Sequence, residues 1–204
     1  AGMDPENQLC TEDFAGHLAH NANLSAKAIM AIAGYGRLAE MLNKPEEAKK
    51  FTEMAKRMAI EWERRADDGD HYRLAFDMPG TWSQKYNFVW DKVLGLNILP
   101  DRIMKKEVAF YLKNQNKYGL PLDNRFTWGK TDDTVWSATM ADSEGDFQEL
   151  IRPIWKYVNE TSSRVPLGDW YETLNVDYIN FRARSVVGGV FMKSLDHYLR
   201  NKRK

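Results

Sequence analysis

Apolar residues recur every three or four positions in the first part of the chain, which is the spacing of one helix face. One such stretch runs from about Leu24 to Leu42, and the next runs from Pro45 to Ala66. Pro45 follows an Asn-Lys break and suits the first turn of a new helix, where a backbone N–H has no partner in any case. The two stretches are therefore predicted to form a helical hairpin with a tight connection.

Similar spacing predicts five further helices downstream. They are expected near residues 86–97, 100–112, 132–140, 146–158 and 187–198. Asp132 is predicted to cap the third of these, and Pro153 to kink or restart the fourth. Residues 72–76 alternate in polarity and allow a short strand. Trp62 and Trp155 lie at helical spacing from the apolar residues of their helices, so both are predicted to be in the core. The pattern predicts an all-α fold of antiparallel helical hairpins, with long aromatic loops and little strand.

Composition narrows the classes of partner that the chain can bind. The 204 residues suit a single α/α-hairpin domain over 1–204. The 29 Lys and Arg residues balance the 29 Asp and Glu residues, so the chain has no net positive charge that would attract nucleic acid or an anionic membrane. No apolar run approaches the roughly 18 residues of a membrane span. The one cysteine, Cys10, excludes an internal disulfide and a thiolate zinc site. Neither a metal nor another cofactor is expected, and the basic end Asn201 to Lys204 is interpreted as a solvated tail.

Carboxylates beside aromatic residues in the long loops are the chemistry that the chain offers. Common nucleophile, metalloprotease and phosphate-loop motifs do not occur in it. Paired carboxylates can act as general acid and base, and tryptophan faces suit sugar rings or other flat ligands. The tryptophans expected to line a cleft are Trp82, Trp90, Trp128 and Trp170. The residues by themselves therefore favour a carbohydrate ligand.

The stretch "PGTWSQKYNFVWD" concentrates aromatic and charged residues in a predicted loop. One interpretation makes it a cleft wall, with Trp82, Gln84 and Lys85 towards the ligand and Phe88 with Val89 packing inward. The other makes it a loop that only covers the core.

Several long motifs carry a resemblance to a known family. "NQLCTEDFAGHLAHNANLSAKAI", "DGDHYRLAFDMPGTWSQKYNFVWDKVLGL", "YGLPLDNRFTWGKTD" and "RVPLGDWYETLN" resemble the C-terminal helical-hairpin domain of the glutaminase A family, over essentially the whole chain. The resemblance implies part of a six-hairpin (α/α)6 toroid and hydrolysis of L-glutamine to L-glutamate and ammonia. It also implies upstream β-rich domains in the same protein and an extracytoplasmic location, secreted or in the cell envelope. Asp133 departs from the family, which often has Trp at that position.

A weaker similarity to six-hairpin glycosidases such as trehalases indicates catalytic roles. By that similarity, Asp13 faces Asp169 or Glu172 across the cleft as general acid and base. The hypothesis fails if the carboxylates are far apart or are closed in salt bridges to arginines.

Glutamine recognition calls for an arginine clamp on the α-carboxylate and an acidic partner for the α-ammonium. Arg125 and Arg184 with Asp123 or Asp132 can serve. "TDDT" beside Lys130 faintly resembles the Thr/Asp/Lys chemistry of asparaginase-type amidohydrolases. The candidate substrate-binding residues are Trp82, Gln84, Lys85, Asp91, Asp123, Arg125, Lys130, Asp132, Trp170, Tyr171 and Arg184. Three functions stay open: a glutaminase-like amidohydrolase, a glycoside hydrolase of six-hairpin type, and a non-catalytic carbohydrate-binding or structural domain.

Overall fold

The structure is a computed structural model that describes residues 2–9, 16–163, 166–180 and 182–203. Over these residues it has seven α-helices, two 3₁₀ segments and two short strands, which confirms the predicted all-α helical-hairpin fold with little strand. The helices are α1 (Ala22–Met41), α2 (Pro45–Ala66), α3 (Val89–Leu94), α4 (Asp101–Lys113), α5 (Thr131–Thr139), α6 (Glu144–Glu160) and α7 (Met192–Arg203). The 3₁₀ segments are Tyr86–Phe88 and Ser185–Phe191, and the strands are β1 (Trp128–Lys130) and β2 (Trp170–Glu172). Within the described ranges, no helix combines the length and the hydropathy that crossing a bilayer requires.

The chain forms two compact units, residues 1–103 and residues 104–204, and the division falls within α4. We call them unit 1 and unit 2. The sequence predicts one domain, and that statement stays a prediction.

Unit 1 is built on the predicted hairpin of α1 and α2. The side chain of Asn21 caps α1 by accepting a hydrogen bond from the backbone N–H of Leu24 at 2.7 Å. Pro45 opens α2 as the sequence predicts. Trp62 on α2 is fully buried, and its indole N–H donates to the carbonyl of Ala22 at 2.8 Å. This bond ties the two helices together at the centre of the core of unit 1.

Unit 2 is organised by an antiparallel ribbon of β1 and β2, in which Lys130 pairs with Trp170, Gly129 with Tyr171 and Trp128 with Glu172. Tyr171 is buried, and its ring stacks on Tyr157 of α6 with centroids 4.1 Å apart. A Cβ at Gly129 would lie 3.1 Å from the Tyr171 ring, so a glycine is needed for this close packing. Because neighbours along a strand point to opposite faces, Trp128, Lys130, Trp170 and Glu172 share the other face.

Three expectations from the pattern are wrong. Trp155 is 70% exposed because the buried stripe of α6 runs through Leu150, Ile154 and Tyr157, and the residue after Ile154 lies beyond its edge. Residues 72–76 form only isolated bridges rather than a strand. Asp132 lies inside the first turn of α5, and the N-cap is Lys130.

Pro153 does not restart α6, which runs unbroken through it. A proline deprives the carbonyl four residues earlier of its helical donor. That carbonyl belongs to Glu149, and it accepts a hydrogen bond from the side-chain amide of Gln115 at 3.3 Å. The replacement bond explains how the helix accommodates the proline.

Candidate functional site

Five charged residues meet in unit 2, and we call them the charged cluster: Lys130, Asp132, Asp133, Asp169 and Arg184. The Nζ of Lys130 lies 2.9 Å from Oδ2 of Asp169, 3.4 Å from Oδ2 of Asp132 and 3.9 Å from Oδ2 of Asp133. Nη2 of Arg184 lies 3.0 Å from the same Asp169 oxygen. Two cations and three carboxylates therefore share one small volume.

The ribbon and the start of α5 assemble the cluster. Lys130 ends β1, and the next residue, Thr131, begins α5. The backbone N–H of Thr131 donates to the carbonyl of Asp169 at 2.9 Å, which continues the pairing of the ribbon to the helix start. Asp132 and Asp133 occupy the first turn of α5, where the helix dipole favours negative charge. Residues about forty positions apart are brought together by one strand pairing.

Most of the charged cluster is buried. The side chains of Lys130, Asp132 and Asp169 are almost or fully removed from solvent. Burying charge is unfavourable unless the charges pair, and here three negative groups oppose two positive ones. Arg184, whose side chain is 34% exposed, and the partly buried Asp133 connect the cluster to solvent.

The fold shifts the pKa values of Asp132 and Lys130 upward, with different consequences for the two groups. Burial raises the pKa of Asp132 above the ordinary value for aspartate, and the nearby negative charge of Asp169 adds to this, while Lys130 opposes it. Burial alone would lower the pKa of Lys130, but the carboxylates of Asp133, Asp132 and Asp169 outweigh burial and raise it. Lys130 is therefore a fixed cation at neutral pH, and Asp132 is the group suited to gaining and losing a proton.

Some buried oxygens of the cluster have no hydrogen-bond donor among the residues that the structure describes. They are Oγ1 of Thr131, Oδ1 of Asp132 and Oδ1 of Asp169. Buried polar atoms in proteins are nearly always paired, so each such oxygen can accept a bond from a bound molecule. The cluster thus differs from a closed salt-bridge network, in which every oxygen is used within the fold.

An aromatic column lies on the same ribbon face as Lys130, and it consists of Trp170, Trp128 and Phe126. Trp170 is buried and meets Trp128 edge to face, with centroids 5.0 Å apart and planes at 78°. Trp128 stacks on Phe126 with centroids 4.0 Å apart and planes within 6° of parallel. Phe126 ends the column and is 45% exposed. The sequence indicated the two tryptophans, but nothing in its pattern singled out Phe126.

The remaining candidates of unit 2 lie outside the charged cluster. Asp123 and Arg125 pair with each other, with Oδ2 and Nη2 2.6 Å apart. The hydroxyl of Tyr171 donates to the carbonyl of Tyr118 at 2.9 Å, and burial raises the pKa of this tyrosine. Glu172 is partly buried, and its Oε1 accepts from the N–H of Leu174 at 3.2 Å. Their proposed contacts with substrate stay predictions.

The candidates in the stretch 79–91 belong to unit 1. Phe88 and Val89 are buried, which confirms that they pack inward. Gln84 and Lys85 are buried too, and the ammonium of Lys85 donates to the carbonyl of Ser83 at 2.8 Å. Trp82 is partly buried. The ligand-facing roles of Trp82, Gln84 and Lys85 stay predictions, although two of these side chains lie inside unit 1.

Asp91 has a structural function in unit 1. Its carboxylate accepts from the backbone N–H groups of Ile98 at 2.9 Å and Leu99 at 3.3 Å, which fixes the turn after α3. Burial raises the pKa of Asp91 despite these two bonds.

The predicted catalytic pair is only partly described. Asp13 lies outside the described residues, and Asp169 is fully buried with Arg184 and Lys130 on its Oδ2. This arrangement favours Asp169 as a group that holds two cations in place over Asp169 as a base that meets water. Asp133, which the sequence analysis did not name as a candidate site residue, is a member of the cluster.

Comparison with known proteins agrees with the fold. A family model described as the glutaminase A six helical-hairpin domain matches residues 1–194. The chain is 31% identical to a protein named probable glutaminase from Arthroderma benhamiae, over 93% of this chain and 26% of that protein. It is 32% identical to glutaminase A of Aspergillus oryzae, over 92% of this chain and 28% of that protein. The chain thus spans little more than a quarter of the length of these curated relatives. It belongs to the family of glutaminase A six helical-hairpin domains.

Proposed function

We propose that the protein containing this chain hydrolyses L-glutamine to L-glutamate and ammonia, and that the charged cluster supplies the reacting and binding groups. The observation that carries the proposal is the meeting of three carboxylates and two cations around the buried Lys130, Asp132 and Asp169, with buried oxygens left for a donor. Such an arrangement contributes little to stability, since a well-packed apolar core is usually at least as stable. Perturbed titratable groups of this kind concentrate at functional sites.

Each group of the cluster has a task in this reaction. Water adds to the carboxamide carbon of the substrate, the C–N bond breaks, and the nitrogen leaves as ammonia after it gains a proton. Asp132 as a carboxylate takes a proton from the attacking water and then donates it to the leaving nitrogen. The fixed positive charge of Lys130 stabilises the oxygen that becomes negative on the way. Arg184 binds the α-carboxylate of glutamine at the solvent side.

A threonine nucleophile fits the cluster less well than direct attack by water. Thr131 is buried next to Lys130, in the "TDDT" stretch. An activated hydroxyl needs a neighbour that accepts its proton. The raised pKa of Lys130 keeps its amine protonated, so this lysine cannot accept a proton from Thr131.

Glycoside hydrolysis fits the cluster less well than amide hydrolysis. That reaction uses two carboxyl groups that act directly on the sugar or on water. Of the carboxylates here, Asp169 is fully buried and paired with two cations. Its arrangement suits the positioning of Lys130 and Arg184, which a zwitterionic amino acid requires and a neutral sugar does not.

Ammonia release from L-glutamine tests the proposal in the full-length protein. Asp132→Asn keeps the shape of the side chain and removes its proton chemistry, so kcat/KM is expected to fall about 10²- to 10⁴-fold. Asp142→Asn is the matched control, because the side chain of Asp142 is 66% exposed and lies outside the charged cluster, 3.6 Å from the exposed Lys105. Absence of ammonia release by the wild type, or full activity in Asp132→Asn, would overturn the proposal.

An extracytoplasmic location and upstream domains complete the proposed function. The family resemblance supports the location, and the greater length of the relatives supports further domains. Fractionation of cells that express the tagged full-length protein tests the location, and recovery of the protein in the cytosol alone contradicts it.

A further inference from the structure

The aromatic column has an exposed end that the proposed glutaminase chemistry does not use. Phe126 is 45% exposed, while its inner ring face lies against Trp128. We propose that the outer face of Phe126, backed by Trp128, is a stacking platform for a pyranose ring of an oligosaccharide. The platform is a second binding function, made by residues outside the charged cluster.

Backbone hydrogen bonds and ring contacts fix the position of the platform within unit 2. Trp128 lies in β1, and its carbonyl accepts from the N–H of Leu122 at 2.8 Å. One residue earlier, the carbonyl of Thr127 accepts from the N–H of Thr173 at 3.0 Å. The edge-to-face contact with the buried Trp170 orients the indole, and the parallel stack orients Phe126 in turn. A ring that is already immobilised loses little conformational entropy on binding, which favours affinity.

The chemistry of the platform suits a sugar ring. One face of a pyranose presents C–H groups that carry partial positive charge, and an aromatic face carries partial negative charge. A flat ring with one open face therefore accepts a pyranose in parallel contact, and the sugar hydroxyls remain at the edge of the contact, where they need polar partners.

Polar groups next to Phe126 in the chain can supply those partners. Asn124 is exposed, and Asp123 forms a close ion pair with Arg125, whose backbone N–H also donates to Asp123 at 2.8 Å. The amide of Asn124 and the partly exposed guanidinium of Arg125 are planar groups that can bond to neighbouring hydroxyls, whereas the carboxylate of Asp123 is buried and holds Arg125 in place. The charges of Asp123 and Arg125 cancel, so the segment offers hydrogen bonds without the net positive charge that a nucleotide phosphate requires. A neutral oligosaccharide is therefore favoured over a nucleotide.

Calorimetric titration of the full-length protein tests the platform. The probes are laminarihexaose, cellohexaose and maltohexaose, with AMP as a flat anionic probe. At least one hexasaccharide is expected to bind the wild type, and Phe126→Ala is expected to weaken that binding about tenfold or more. Phe126→Trp keeps a flat ring and is expected to retain binding. The control is Phe191→Ala, which removes another exposed phenylalanine, 67% exposed, from the 3₁₀ segment Ser185–Phe191.

Several results would overturn the inference. They are no binding of any hexasaccharide in the millimolar range, equal binding by wild type and Phe126→Ala, an equal loss in Phe191→Ala, and binding of AMP alone. Thermal unfolding checks that Phe126→Ala is folded, and Phe126→Trp decides the question if it is not. The outcome is independent of ammonia release, because the two assays use different ligands and different residues.

Discussion

At the residue scale, the ionised form of Asp132 is disfavoured by the fold. Its folded pKa lies above the ordinary value of 3.8 because of burial and the charge of Asp169. Below pH 3.8 the group is protonated in the folded and unfolded chains, so it has no effect on stability there. As pH rises through the folded pKa, the folded chain has to ionise a group that it prefers neutral, and stability falls.

Asp132→Asn is therefore expected to raise the free energy of unfolding at neutral pH while it removes activity. Urea unfolding from acid to neutral pH measures the effect, and the gain should be absent in acid and grow as pH rises. Asp142→Asn should show no such pH-dependent gain. A variant that is less stable than the wild type at neutral pH would show that pairing with Lys130 outweighs burial. A gain in stability on loss of activity is the behaviour expected of a functional site whose charged groups lower the stability of the fold.

Gly189 lets the 3₁₀ segment Ser185–Phe191 approach α5 closely. A Cβ at Gly189 would lie 2.8 Å from both Cβ of Asp132 and Nε1 of Trp136, whereas a Cβ at Gly188 would meet nothing within 4 Å. Gly189→Ala is expected to lower the free energy of unfolding by about 1–3 kcal/mol through overpacking. Gly188→Ala should stay within about 0.5 kcal/mol of the wild type.

Chemical denaturation measures the free energy of unfolding of both alanine variants. The comparison separates the steric clash at Gly189 from the effect that any glycine-to-alanine change has on the unfolded chain. The neighbouring glycines share one 3₁₀ segment, so a stiffer unfolded chain affects both variants alike. Equal stability of the two variants would mean that α5 and the 3₁₀ segment can move apart at no cost in the free energy of unfolding.

At the element scale, two tryptophans that the sequence treats alike differ sharply. Trp62 on α2 is fully buried and contacts Tyr72 and Phe88, with centroids 4.9 and 4.6 Å away. Trp155 on α6 is largely exposed. Trp62→Ala is expected to destabilise by about 3–5 kcal/mol because it leaves a cavity and removes the bond to α1. Trp155→Ala should change stability by no more than about 0.5 kcal/mol.

Denaturant unfolding followed by circular dichroism checks this pair of variants. A large loss in Trp155→Ala would mean that the exposed indole is covered by something absent from the structure. A small loss in Trp62→Ala would mean that unit 1 repacks around the missing ring.

Helices were the predictable part of this fold, for a physical reason. Helical periodicity is a local property, so the spacing between Leu24 and Ala66 suffices to predict α1, the break and α2. Helical periodicity does not decide which of two adjacent apolar residues faces the core. Trp155 lies one position past a buried residue, and only the packing of α6 decides its exposure.

The ribbon was the unpredictable part, and the site depends on it. Two strands of three residues each carry too little pattern to be recognised. Their pairing joins Lys130 to Asp169, so the sequence could name Lys130, Asp132, Asp169 and Arg184 separately but could not assemble them. It paired Asp169 with Asp13, which lies outside the described residues, and did not foresee the contacts of Asp169 with Lys130 and Arg184. Long-range strand pairing is the step that local patterns do not contain.

At the scale of the whole molecule, the positive and negative charges of the sequence cancel. The 29 basic residues equal the 29 acidic ones, and the basic end of the chain is part of this balance. Residues up to Arg203 continue α7, so the predicted solvated tail is helical there. Arg200 pairs with Asp196 at 2.7 Å, and Arg200, Lys202 and Arg203 occupy the last helical turn, where the dipole favours cations. The basic residues thus have a local function in the helix end.

The chain is therefore expected to pass through a heparin column at low ionic strength without retention, because binding to a polyanion depends on the number of cations it can engage. The double variant Lys202→Ser/Arg203→Ser should elute at the same position as the wild type, and it should fray α7 slightly, which circular dichroism at low salt detects. Retention of the wild type that disappears in the double variant would contradict the expectation. It would show that the end of α7 presents an anion-binding surface although the chain as a whole is neutral. Such a surface can act locally because salt at 0.1 M screens charges that are more than about 10 Å apart.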